Sequence, residues 1–232
     1  MIPVQAAADG HRSRTPIGGS VLYLLMNLPL GIASFVLLVT LLSVGVGTAV
    51  VWVGVPILAL ALLLARGFAK VERARIYSLV DELIPLPYLP LPKGAGQRSR
   101  WMTRLRDVST WRDMVYLFLL FPLGVAEFCL VVSFWATSLA LVGLPIYFRY
   151  LPEHAYYFPA FDVRWITVDS TLAALPWAAL GVFFVAVSVA LTRGLARTHV
   201  RFAASLLGPT AAQRARLAYY AERSETTNMV TA

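Results

Sequence analysis

Hydrophobic residues in this chain form three long runs that charged residues hardly interrupt. Residues 21–65 contain no Asp, Glu, Lys or Arg, residues 114–148 contain only Glu127, and residues 170–192 again contain none. A helix needs about 20 consecutive apolar residues to cross a bilayer. The first run therefore predicts two helices joined by a tight turn, and each of the other runs predicts one crossing.

The runs predict an all-α integral membrane protein with four transmembrane helices. The predicted spans are residues 20–42, 47–66, 114–136 and 170–192. Small residues at 43–47 permit the first turn. Only about ten residues separate Pro56 from Arg66, too few to cross a bilayer, so the second span is expected to begin before Gly54.

The rest of the chain divides into tails and connections. Residues 1–19 form an N-terminal tail, residues 20–204 the four-helix membrane domain, and residues 205–232 a C-terminal tail. Residues 67–113 form a loop between the second and third spans. Residues 149–169 connect the third span to the fourth.

Composition and charge agree with this picture and add an orientation. The chain is 59% hydrophobic and 14% charged, with a net charge of +8. Of its 20 Lys and Arg residues, two precede the first span, ten lie between Arg66 and Arg112, and six follow Thr192, which leaves Arg149 and Arg164 as the exceptions. Because positive residues concentrate on the cytoplasmic side of membrane proteins, both termini are predicted to be cytoplasmic. We expect the basic loops to contact anionic lipid headgroups, and we expect no nucleic-acid partner.

The two halves of the chain share an internal repeat. Residues 23–35 match residues 116–128 at seven of thirteen positions, and residues 64–70 resemble residues 191–197. Each half holds an even number of spans, so the pattern predicts two parallel two-helix units.

Both copies of the repeat contain the sequence Pro-Leu-Gly, at Pro29 to Gly31 and at Pro122 to Gly124. Proline frees a backbone carbonyl inside a helix, and glycine lets a neighbouring helix approach closely. The motif is expected to form a kink and packing notch, and a functional hinge is the other interpretation.

The central loop begins with an amphipathic pattern over residues 66–83. One side carries apolar residues, and the other carries the charged residues Lys70, Glu72, Arg73 and Arg75. This segment is predicted to lie against lipid headgroups or to dock a partner helix. Farther along, Thr110 and Asp113 have the spacing of a capping box that would start the third span.

Glu127 is an acidic residue near the middle of a predicted span. A charged side chain facing lipid costs several kcal/mol, so Glu127 is expected to face the bundle interior. Asn27 and Ser34, on the first helix, are its predicted partners. Two interpretations stay open: a structural hydrogen bond between helices, or a site that senses a ligand or a proton.

The connection at residues 149–169 offers a second group of candidates. Its charged and titratable side chains could contact a small ligand or a lipid headgroup at Arg149, Glu153, His154, Asp162 and Arg164. Its aromatic residues are also typical of an interfacial belt. The histidines of the chain are too scattered for a metal site of known spacing. No catalytic or nucleotide-binding motif is present, so we predict neither cofactor nor enzyme activity.

Several motifs together resemble a known family. They are the segments 66–75, 84–88, 105–113 and 121–124. This series is similar to the Putative sensor domain, the N-terminal membrane region of actinobacterial two-component histidine kinases. The resemblance extends over about residues 18–220. It implies a place in a bacterial plasma membrane and a role in sensing or anchoring.

The resemblance does not imply kinase activity for this chain. The kinases continue into a helix with a phosphoacceptor histidine and an ATP-binding domain, whereas His199 lacks the acidic-His-Asp-Gly setting. We expect a stand-alone sensor module that relays an envelope or lipid stimulus to a separate histidine kinase or other signalling protein. A homodimer is a further expectation, and a small transporter or permease component is the alternative function.

Overall fold

The principal elements in the described part of the chain are five α-helices and one β-hairpin. A computed structural model describes residues 17–88, 96–151, 154–160, 163–216 and 218–219. The helices are α1 (Ile17–Gly47), α2 (Gly54–Val80), α3 (Gln97–Arg106), α4 (Val108–Tyr147) and α5 (Thr171–Leu207). The strands are β1 (Tyr156–Ala160) and β2 (Val163–Val168), and they pair in antiparallel fashion.

Four of these helices, α1, α2, α4 and α5, are long and apolar enough to cross a membrane. The predicted class, an α-helical membrane protein with four spans, is therefore confirmed. Many large apolar side chains point outward from these helices, for example Val182 and Phe183 on α5. Such side chains are suited to contact with lipid, since a bilayer is as apolar as they are.

The start of α2 corrects one expectation. The helix begins at Gly54 and continues through Arg66 to Val80, so it does not begin before Gly54. The chain reverses after Gly47, slightly later than predicted. The expectation took Arg66 as the membrane boundary. Glu72, Arg73 and Arg75 farther along the helix are buried and paired inside the protein, so charge in this segment does not require the helix to end at Arg66.

Helices α1 and α4 cross at their repeated glycines. A Cβ atom on Gly31 would lie 2.9 Å from Cα of Phe121, and one on Gly124 would lie 2.8 Å from the carbonyl oxygen of Asn27. Both distances are too short for a real side chain, so glycine permits this close approach. The contact is reciprocal. Gly31 meets α4 at Leu120 and Phe121, just before Pro122, and Gly124 meets α1 at Asn27 and Leu28, just before Pro29.

The two ends of the bundle differ in character. At the loop end, α2 ends, α4 begins and α5 ends, and Arg112 donates hydrogen bonds to the carbonyl oxygens of Ser205 and Gly208. At the hairpin end, β1 and β2 cover the end of α4 and the start of α5. There Phe158 stacks on Trp177 with ring centroids 4.2 Å apart. The aromatic connection is thus a hairpin, which the sequence analysis did not predict.

Candidate functional site

Glu127 lies at the meeting point of α1, α4 and α5. Its Oε2 accepts a hydrogen bond from Nδ2 of Asn27 at 2.6 Å, and its Oε1 lies 2.6 Å from Nδ1 of His199. The three side chains are buried. The structure therefore brings Glu127 to Asn27, one of its two expected partners, and adds His199 from the last helix.

A second carboxylate, Glu72 on α2, is the other centre of this region. Its Oε1 accepts hydrogen bonds from Nη2 of Arg75 at 2.7 Å, from the hydroxyl of Tyr116 at 2.9 Å and from the hydroxyl of Tyr23 at 3.1 Å. Arg75 also donates to Oδ1 of Asn27 at 2.5 Å. Arg75 thus links the Glu72 group to the Glu127 group.

The hydrogen bonds close into a ring, because the hydroxyl of Tyr116 also lies 3.1 Å from Nε2 of His199. We call this closed set the polar ring, and its members in order are Glu72, Arg75, Asn27, Glu127, His199 and Tyr116. Each of the four long helices contributes at least one member. A polar network that connects every long helix fixes their relative positions more tightly than apolar contacts alone.

Both ring nitrogens of His199 contact other members of the polar ring. The hydroxyl of Tyr116 donates to Glu72 and lies 3.1 Å from Nε2 of His199. Nδ1 of His199 lies 2.6 Å from Oε1 of Glu127 and 3.3 Å from Nδ2 of Asn27. His199 therefore joins α5 to side chains of both α1 and α4.

The burial of these charges corrects the amphipathic interpretation of residues 66–83. Glu72 is 0% exposed, Arg73 5% and Arg75 9%, so the charged side of this segment packs inside the protein. Lys70 alone of the four is exposed. A buried charge is tolerated only when it is paired, and the partners here come from distant parts of the chain. Periodicity within one helix could not indicate those partners.

A second polar cluster lies beside the ring, toward the loop end. Nη2 of Arg73 donates to Oδ1 of Asp113 at 3.0 Å and to the carbonyl oxygen of Leu207 at 2.8 Å. The hydroxyl of Tyr88 donates to Oδ2 of Asp113 at 2.5 Å. Burial, together with the neighbouring Asp113, raises the pKa of Tyr88 to about 12, so the hydroxyl keeps its proton at neutral pH.

Arg66 extends this cluster to the start of α4. Its guanidinium lies 4.7 Å from the ring centroid of Tyr88 and donates to Oδ2 of Asp107 at 2.8 Å and to the hydroxyl of Thr110. The expected capping box is wrong, because Thr110 binds Arg66 and Asp113 binds Arg73. Asp107 caps α4 instead, accepting from the backbone N–H of Ser109 at 3.0 Å. The two residues expected to cap α4 therefore accept hydrogen bonds from arginines of α2 instead.

The other predicted site residues lie apart from the ring. Ser34 instead donates to the carbonyl oxygen of Gly31 at 3.2 Å and forms no hydrogen bond with Glu127 in the described part of the chain, which corrects the second expected pairing. At the hairpin end, Nδ1 of His154 lies 2.6 Å from the carbonyl oxygen of Arg149, and Arg149 donates to Thr171.

Three of the five candidate residues in the connection at residues 149–169 lack a described side chain. Glu153 and Asp162 lie outside the described residues. Arg164 is described only through its backbone, which pairs with Pro159 in the hairpin. The structure therefore brings together Arg149 and His154 of this group. Among the residues that the structure describes, no cluster of His, Cys, Asp or Glu could hold a metal ion.

Sequence reasoning missed most members of the polar ring, although the internal repeat contained a signal for them. Tyr23 and Tyr116 begin the two copies of the repeat, and both contact Glu72. Glu72 and His199 lie equally far after the matched residues Arg66 and Arg193. Glu72 and His199 are therefore titratable residues at equivalent positions of the repeat, and this equivalence indicates both as candidate site residues.

Comparison with known proteins supports the resemblance seen in the sequence. The model of a family described as Putative sensor matches residues 23–207. The chain belongs to the Putative sensor family. The matched region of this sensor domain includes every member of the polar ring and all four long helices. No match was found among curated proteins or among solved structures.

Proposed function

We propose that this sensor domain detects a change in the surrounding envelope or lipid and relays it to a separate signalling protein. The observation that supports the proposal is the polar ring, which connects all four long helices through buried, hydrogen-bonded side chains. We further propose that the loop end is cytoplasmic, as the positive-inside pattern predicts. The stimulus would then act within the membrane, and the output would emerge at the ends of α2 and α5.

The ring offers a physical route for such a signal. Asn27 and Glu127 lie where α1 and α4 cross, and they contact Arg75 on α2 and His199 on α5. A shift in the crossing would therefore change the contacts of both helices that extend to the loop end. Packed interfaces of this kind tend to have discrete arrangements, so small shifts can be converted into distinct states.

A distance measurement on the full chain in lipid nanodiscs tests the proposal. Spin labels at Tyr77 on α2 and Arg201 on α5, both exposed positions, would be introduced with Cys129→Ser, which removes the single native cysteine. We expect the distance between labels to change when lipid thickness or headgroup charge is altered. In Glu127→Gln, the distribution is expected to remain in one state.

Ser138→Ala is the matched control, since Ser138 pairs with Ser188 in the bundle and lies outside the ring. In this variant, the distance between the labels should change with lipid as it does in the chain with an unaltered ring. Identical distances in every lipid would contradict the proposal, and so would an unchanged response in Glu127→Gln. We also expect no catalytic activity, and purified protein should incorporate no phosphate from ATP.

Glu127 and His199 are two titratable side chains in contact inside the bundle, and this contact supports one alternative function, proton-coupled transport. A transporter needs groups that load and release a proton on opposite sides of the membrane. Proteoliposomes containing a pH-sensitive dye would distinguish the two functions. The sensor proposal expects no proton flux, whereas a flux abolished by Glu127→Gln would favour transport.

A further inference from the structure

A cavity of about 760 Å³ opens beside the arginine and tyrosine cluster at the loop end. Its walls come from the middle of α2, the end of α3, the start of α4 and residues 210–216. This volume falls within the range typical of small-molecule sites, about 300–1,000 Å³. We call it the basic cavity, after its cationic wall residues Arg66, Lys70, Arg104, Arg106 and Arg216.

Positive charge is the main feature of the basic cavity. Five cationic side chains line it, against the single carboxylate of Asp107. Asp107 is already paired with Arg66. Within the part of the chain that the structure describes, the other four cations form no ion pair. Concentrated like charges repel one another, and a bound anion would relieve that repulsion.

We propose that the basic cavity binds a phosphate-bearing anion. Arginine guanidinium groups and lysine ammonium groups are the side chains best suited to phosphate oxygens. The same wall includes Leu63, from the apolar part of α2, and Val108, whose side chain is 61% exposed. This combination of cations and apolar surface suits the headgroup and first carbons of an anionic lipid, and its cationic part also suits a soluble phosphate compound.

The cavity is connected to the helices of the polar ring. A phosphate beside Arg66 would compete with Asp107 for the guanidinium, and Arg66 also lies against Tyr88. Tyr88 holds Asp113, and Asp113 holds Arg73, which also binds the carbonyl oxygen of Leu207 at the end of α5. Binding can therefore affect contacts among α2, α4 and α5. That this binding is the sensed stimulus rests on the proposed function, whereas the binding itself does not.

Lipid retention by the full chain tests the site. Nanodiscs of phosphatidylcholine would contain a small fraction of spin-labelled phosphatidic acid, and the immobilised fraction would be measured. The variant Lys70→Gln/Arg106→Gln changes two exposed cavity residues. Each Lys or Arg near an anionic lipid raises the affinity about fivefold, so removing two of them should weaken lipid retention roughly 25-fold.

Arg197→Gln/Arg201→Gln is the matched control, because it also removes two exposed cations, and both lie on α5 outside the cavity. It should keep retention within about twofold of the unaltered chain if binding is local. Equal losses in both variants would overturn the proposal, since they would indicate general attraction to a basic surface. Weak retention by the unaltered chain, with no effect of inorganic phosphate on its thermal unfolding, would also overturn it.

Two further arms separate the source of the phosphate from the signalling role. Displacement of labelled lipid by millimolar inorganic phosphate would support a soluble phosphate ligand, and retention in its presence would support a lipid headgroup. The distance between spin labels at Tyr77 and Arg201 is measured in parallel samples that contain unlabelled phosphatidic acid. Specific retention without a distance change would support the binding site and contradict only its part in the proposed signalling.

Discussion

Glu127 on α4 and His199 on α5 are joined by a contact of 2.6 Å, although 72 positions separate them in the sequence. The same carboxylate accepts a hydrogen bond from Asn27 on α1. One acidic side chain therefore joins three helices through buried polar contacts. Its hydrogen-bonding requirements can be tested separately from its charge.

Glu127→Gln should keep the fold. The amide oxygen can accept from Asn27, and the amide nitrogen can donate to Nδ1 of a neutral His199. Glu127→Leu should destabilise by about 2–4 kcal/mol, since it removes the acceptor for Nδ2 of buried Asn27 and the oxygen partner of Nδ1 of buried His199. Titration with SDS in mixed micelles would measure the free energy of unfolding. Equal stability of the Leu and Gln variants would show that these contacts contribute little.

Glu72→Gln should be more damaging than Glu127→Gln. Removing one member of a buried ion pair leaves the other charge uncompensated, at a cost of about 3–5 kcal/mol. Arg75 would be left in that condition. In a double-mutant cycle, Glu72→Gln combined with Arg75→Gln should therefore lose less stability than the sum of the single changes. Lys70→Gln, an exposed change on the same helix, should shift stability by less than about 0.5 kcal/mol.

Gly31→Ala and Gly124→Ala should each destabilise the crossing of α1 and α4. The added methyl group would meet backbone atoms within 3 Å, which cannot move aside as a flexible side chain can. Overpacking of this kind costs about 1–3 kcal/mol. The control is Gly194→Ala on α5, where an added Cβ meets nothing within 4 Å.

The control should change stability in the opposite direction. Alanine is favoured over glycine inside a helix by roughly 0.5–1 kcal/mol, so Gly194→Ala should be neutral or stabilising. Thermal unfolding of the purified variants in one detergent would compare all three. Similar melting temperatures for Gly31→Ala and Gly194→Ala would contradict the close approach at the crossing.

The orientation can be tested by labelling with a membrane-impermeant maleimide. Single cysteines would replace Gly96 in the central loop and Tyr150 at the hairpin end, with Cys129→Ser in both. We expect Tyr150→Cys to react in intact cells and Gly96→Cys to react only after lysis. Reaction of both positions from the same side would contradict the predicted topology.

The sequence by itself determined the number of long helices and their approximate places. Each apolar run is a local feature, and its length alone decides whether it can cross a bilayer. The same local reasoning placed Glu127 in a span and required an inward partner. Asn27 could be predicted as that partner because it is one of few polar residues in the first run.

Only the tertiary structure decided how the charged residues of α2 are used. Their periodicity is equally compatible with a helix on lipid headgroups and with a helix whose polar side is buried. The choice depends on whether Tyr116 and Asp113, which are 44 and 40 positions from their partners Glu72 and Arg73, reach that side. Burial of Glu72, Arg73 and Arg75 is tolerated only when Tyr116, Asp113 and Asn27 supply hydrogen bonds to them, which is a property of the assembled bundle and of no single segment.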